Sequence, residues 1–150
     1  MVTVLLFLQL FQVMFLALHD WVPLGRLNNV AAVQKSDPPG RLLTVTLIST
    51  LPYAFGFAAS LYHAGGAAPA WLRLWLWISY GLLLAGQLRA WWIPYLLVSE
   101  PARAARYQAM FAGTHAFLPP RHGITPNTLH IVLHVTTLAT LILLGATARP

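Results

Sequence analysis

The chain contains no cysteine, which removes disulfides, thiolate nucleophiles and Cys-ligated zinc or iron–sulfur centres while leaving histidine and carboxylate ligands open. Acidic side chains are almost as scarce. Asp20, Asp37 and Glu100 are the whole supply, and no two of them sit on one helix face as a general acid–base couple. There is no glycine-rich phosphate loop and no G-x-S-x-G elbow. No basic run interleaved with exposed aromatics is present to grip nucleic acid, so nucleic acid is not an expected partner. Charge of either sign is thin, at 8% of residues, against roughly a quarter or more on a soluble surface. Such a chain needs lipid around it.

What is present is apolar sequence in long runs. Hydrophobic residues make up 58% of the 150, and the pattern predicts an all-α polytopic membrane protein, one four-transmembrane-helix bundle over residues 1–150. Val2 to Leu18 carries no charge and at ~1.5 Å per residue just crosses a ~30 Å hydrocarbon core. With no Lys or Arg ahead of it and no small-residue cleavage site before His19-Asp20, it is expected to remain as a span rather than leave as a signal peptide. The spans are expected at about 2–18, 42–62, 71–93 and 129–146.

A short helix over Leu27 to Lys35 is expected ahead of the Ser36-Asp37-Pro38-Pro39-Gly40 turn. Pro52 falls near the middle of the second span, where it frees a carbonyl that a neighbour must meet. Ala64-Gly65-Gly66 through Pro69 reads as a tight uncharged turn. Trp71 and Trp75 at one end of the third span, and Trp91, Trp92 and Tyr95 at the other, have the spacing of two interfacial belts, about 31 Å from 71 to 92 at the helical rise. Arg73 and Arg89 lie just inside those belts, where they can snorkel.

An interfacial amphipathic helix is expected between the third and fourth spans, over Ala102 to Phe117. Ser99 or Glu100 would cap it and Pro101 would occupy its first turn. It carries Arg103, Arg106, Tyr107, Met110, Phe111 and His115, a basic and aromatic mix suited to a bilayer surface, and Leu118-Pro119-Pro120 ends it. Thr125 and Pro126 signal the start of the last span. Nine Lys+Arg stand against three Asp+Glu. Arg26, Lys35, Arg41, Arg89, Arg103, Arg106 and Arg121 fall in loops 20–41 and 89–127, whereas only Arg73 and Arg149 fall opposite. In a bacterial-type inner membrane this makes both loops cytoplasmic, against anionic headgroups, and both termini non-cytoplasmic.

Each span also carries polar residues at helical spacing. They are Gln9, Gln12 and His19; Thr46, Ser49, Tyr53, Gly56, Ser60 and His63; Arg73, Tyr80 and Gln87; Asn127, His130, His134 and Thr137. Four such stripes imply one shared polar interior, with Gln9, Gln12, Tyr53, Tyr80, Gln87 and Asn127 at its centre. As interhelical glue each hydrogen bond contributes about 0.6–2 kcal/mol. As the lining of a hydrated or ligand-filled cavity, the same residues would mark function.

His130 and His134 stand one helical turn apart, so their imidazoles can reach one ion or act as the catalytic pair. Added to His19, Asp20, His115 and His122, they make a candidate zinc or iron site at the cytoplasmic rim, with haem the weaker candidate. The His130/His134 pair resembles one histidine box of the membrane desaturases and hydroxylases. That resemblance covers these two residues only, and the adjacent His-His pairs of those di-iron enzymes are missing, so their chemistry is not carried over.

The expected function is an accessory or transport-type bundle with a polar interior, homo-oligomeric or bound to other membrane subunits. The alternative is a metal- or haem-dependent membrane enzyme acting on a lipid-like substrate at the rim, with the surface helix as its lid. A third reading is proton-coupled movement through His19, His130 and His134.

Overall fold

A backbone in hydrocarbon must satisfy its own hydrogen bonds, and the proline and glycine clusters divide this chain into runs that do so as helices. The computed structural model describes residues 2–147, which are all-helical, with no strand among the described residues. Helix α1 spans Val2–Leu18, α2 Val30–Ser36 after a 3-10 turn at Gly25–Leu27, and α3 Pro39–Tyr62. Then come α4 (Ala70–Gln87), a π-helical turn (Leu88–Trp92), α5 (Ile93–Leu96), α6 (Pro101–Phe111) and α7 (Thr128–Thr147).

Two helices, Pro39–Tyr62 and Thr128–Ala146, are long and apolar enough to cross a membrane. A third candidate span is the rod Ala70–Leu96 with α6, which is broken by a 106° bend. Helix α1 is apolar but shorter, at 17 residues. On the outward faces of the four long helices, Phe7, Ile48, Leu82 and Ile142 are 68%, 69%, 68% and 63% exposed. An apolar exterior on every side fits a lipid surrounding and a membrane location.

The long helices pack in a ring, α1 on α3, α3 on α4, α4 on α7 and α7 on α1. Phe15, Leu16, Tyr53, Leu72, Leu76, Tyr80, Leu129, Leu133 and Leu144 fill the centre. Gly56 lets α3 and α4 approach closely, since a Cβ there would lie 3.0 Å from Leu76 Cδ2. Beside that contact, the Trp75 indole donates to the carbonyl of Pro52 at 3.1 Å. Toward α5 a cavity is lined by both helices.

Loops 20–41 and 89–127 join into one cap at that end. Helix α2 packs on α6, Asn29 Nδ2 donates to Ala112 O (3.2 Å), and the His115 amide donates to Arg26 O (2.6 Å). Asp37 bridges Arg106 (2.8 Å) and Arg41 (3.0 Å). Arg149, counted on the opposite side, lies outside the described residues.

Pro94 explains how α6 is attached. It has no N–H to give Ala90 O, and the π-helical turn sends the Ile93 amide to Leu88 O, so the carbonyls of Arg89 and Ala90 lose their usual partners. Side chains from α6 take them over. Arg103 donates to both, at 3.2 and 3.1 Å, and the Tyr107 hydroxyl donates to Ala90 O at 3.2 Å.

Several local expectations are corrected. Helix α6 stops at Phe111, short of Phe117, because Gly113 turns the chain at φ +72°; His115 is therefore in a loop. Glu100 precedes α6 without capping it, because its carboxylate is held by Arg89 (2.8 Å) and Arg103 (2.9 Å). Those hydrogen bonds outweigh the opposing loss of water and hold its pKa below the ordinary carboxylate value. Helix α7 starts two residues after Pro126, where Asn127 Oδ1 accepts the His130 amide (3.0 Å). Trp91 and Tyr95 form no outward belt, since both are buried against α6 and Ile124.

Candidate rim cleft

Beneath the cap, side chains from four helices meet around His130. Trp91, from the π-helical turn, lies 4.6 Å from its ring, Phe111 of α6 at 5.1 Å, His19 at 5.7 Å and Phe15 of α1 at 6.0 Å. His134 is 6.4 Å away, one turn along α7. His130 lines two neighbouring cavities. One, of about 490 Å³, runs between α3 and α4 past Ser49, Leu82 and Gly86 to His134 and Gln87. The other, of about 320 Å³, extends under the cap to Asp37, Arg41, Arg106 and Tyr107.

The hydrogen bonds fix where each ring proton sits. Asn127 Oδ1 accepts the His130 backbone amide, which identifies that atom as oxygen. The same oxygen is 2.7 Å from His130 Nδ1, so Nδ1 carries the proton and Nε2 is left as an acceptor. His134 has the opposite arrangement. Its Nδ1 accepts from the Trp92 indole at 3.1 Å, so the proton of the neutral ring is on Nε2. One cleft therefore presents an acceptor nitrogen and a donor nitrogen.

His19 and Asp20, just past α1, form a linked pair. His19 Nδ1 is 2.9 Å from Phe15 O and must donate to it, while Nε2 is 3.2 Å from Asp20 Oδ1. That second contact is an ion pair when His19 is protonated. Burial raises the Asp20 carboxyl above its ordinary pKa, His19 pulls it back, and Asp37 pushes it up again.

The six residues read as a metal set do not act as one group. His19 has both nitrogens engaged. His115 is exposed, with Nδ1 on Thr128 Oγ1 at 2.7 Å, and His122 is exposed in the Arg121–Ile124 turn. Among the described residues no group of three or more His, Asp or Glu could hold an ion. No family model, curated protein or solved structure matches the chain.

The polar stripes meet along α7. Gln87 of α4 donates to Thr137 Oγ1 (2.9 Å), and Gln12 of α1 donates to Thr140 Oγ1 (2.8 Å). Each threonine passes its own proton to a carbonyl of α7, Leu133 O or Thr136 O. Gln9, Gln12, Tyr53, Tyr80, Gln87 and Asn127 are all buried. Tyr53 donates to Ser79 O (3.1 Å), but both amide atoms of Gln9, Oε1 of Gln12 and Gln87, Nδ2 of Asn127 and the Tyr80 hydroxyl have no partner. Ser49 and Ser60 bond carbonyls of their own helix instead of joining helices.

Sequence reasoning missed Thr140, the role of Trp92 in setting the His134 tautomer, and the Asp37–Arg106 bridge. Thr140 continues the three-and-four spacing of α7, so that signal was present. The other two depend on the bend between α4 and α6, which no local pattern displays.

Proposed function

We propose that the protein is a four-span bundle with an interfacial helix between its third and fourth crossings, working as a small transport-type unit of an inner membrane. In this reading loops 20–41 and 89–127 are cytoplasmic, the termini are non-cytoplasmic, and the bundle self-associates or joins other membrane subunits. The observation that carries it is the polar line from Asn127 along α7, through half-buried His130 to buried His134, Thr137 and Thr140, tied to glutamines of α1 and α4. Six polar atoms around that line and its glutamines have no partner, a state that is expensive in a dry interior and natural in a wetted path.

A pocket supports the same reading from the other end of the bundle. It measures about 250 Å³ and is lined by Ser60, His63 and Arg73, with Leu5, Leu72, Leu76 and Leu144 at the bundle core. The polar line and the rim cleft would then form one half of a path and this vestibule the other, with the leucines as the barrier between them. A zinc or iron form of the enzyme alternative would need three or more converging His, Asp or Glu, and the described residues hold no such group.

The test is proton entry into vesicles holding the full-length protein and a trapped pH dye, after an external pH step. Entry several-fold faster than in protein-free vesicles is expected, and Gln87→Leu with Thr137→Val should return it toward the protein-free rate. Wild-type vesicles no faster than protein-free ones would overturn the reading.

A further inference from the structure

We propose that the rim cleft binds a neutral lipid whose head both donates and accepts a hydrogen bond, a prenyl-type quinol, with its chain leaving between α3 and α4. This site shares the rim cleft, His130 and His134 with the proposed path, but it rests on the cleft walls and not on the α7 polar line beyond His134.

The head is specified by the two imidazoles. His130 Nε2 can only accept and His134 Nε2–H can only donate, each fixed by a partner on the far side of its ring, Asn127 or Trp92. A ligand hydroxyl that donates to His130, with an oxygen that accepts from His134, satisfies both. A phosphodiester group itself, ionised at neutral pH, has no proton to offer His130. Arg41 and Arg106, which together outnumber the one Asp37 they share, line the neighbouring cavity under the cap and not the one that reaches His134.

The walls suit a planar ring. Trp91 and Phe15 flank His130 in the lining of a cavity whose volume of about 490 Å³ is within the range of small-molecule sites. The exit is apolar. Between α3 and α4 the cavity is bordered by Val45 and Leu82, which are 52% and 68% exposed. A hydrocarbon chain leaving there enters the acyl region without crossing a polar rim.

The experiment uses the full-length protein in phosphatidylcholine nanodiscs, titrated with a short-chain alkyl benzoquinol under reducing conditions and read by tryptophan fluorescence. Saturable binding at one per chain is expected. The bis-methyl ether of the same quinol, which cannot donate, should bind at least tenfold more weakly to the wild-type protein. His134→Phe, which keeps the ring and removes the donor, should cause a similar loss.

Trp92→Phe should cause a smaller loss, because it frees the His134 proton to move to Nδ1. Should His134→Phe fail to fold, the ether comparison on the wild-type protein still decides. Non-saturable uptake, equal affinity for quinol and ether, or equally strong displacement by phosphatidylglycerol would each overturn the proposal. Proton flux does not enter this measurement, so the two proposals can fail independently.

Discussion

Among single residues, the buried glutamines separate stability from function. Gln12 has one good bond, to Thr140, whereas both ends of Gln9 are unpaired. An unsatisfied buried amide costs about 1–3 kcal/mol, of which one met only by confined water still bears a part, and an interhelical bond in a membrane returns about 0.6 kcal/mol on average. Gln9→Leu should therefore raise the melting temperature in detergent, Gln12→Leu should change it by only a degree or two, and both should slow proton entry. A fall in melting temperature for Gln9→Leu would contradict this.

Glu100 supplies a pH test. Its pKa is lowered in the folded chain, so its clasp on Arg89 and Arg103 stabilises above the ordinary carboxylate range and is lost as pH falls through the folded value. Hydrogen exchange of the α6 amides, corrected for intrinsic rate, should rise on acidification through that window, and Glu100→Gln should remove the dependence. The polar interior was legible residue by residue, because three-and-four spacing states which side chains share a face. The partners of Glu100 were not, since a residue before Pro101 looks like a cap whether or not a distant arginine claims it.

At the level of elements, the attachment of α6 depends on a proline and a glycine. Pro94→Ala would restore the N–H that Ala90 O lacks and return the rod to regular α-helix, leaving Arg103 and Tyr107 without their acceptor. Faster exchange throughout α6, with α7 unchanged, is the expected result. Gly123 sits at φ +74° with space for a Cβ only 2.9 Å from Ala104 Cβ. Gly123→Ala should cost about 1–3 kcal/mol, visible as a lower melting temperature, whereas Gly65→Ala, with nothing near it, should be neutral.

The bounds of α1 could be read directly from uninterrupted apolar sequence. The bend between α4 and α6 could not, because it follows from a missing N–H in one segment being answered by a side chain in another. Trp91 and Trp92 show the consequence. Spacing made them an interfacial belt, and the π-helical turn redirects them onto the histidines.

For the whole molecule, the absence of cysteine makes sidedness simple to measure. Ser36→Cys and Ala112→Cys lie in the joined cap and should react with an impermeant maleimide from one face of the membrane, and Gly66→Cys from the other. All three are exposed positions. Reaction of all three from one face would overturn the four-span arrangement.

The gap between α3 and α4 has its own consequence. A compartment whose outer boundary is supplied by its solvent has no fixed size, so whatever surrounds the protein sets the shape of the space beside His134. Surfactant tails would occupy it in a micelle, and acyl chains of differing length or unsaturation would do so in a bilayer. The same polypeptide should therefore show different occupancies in different membranes, with the lipid acting as an unencoded fifth wall.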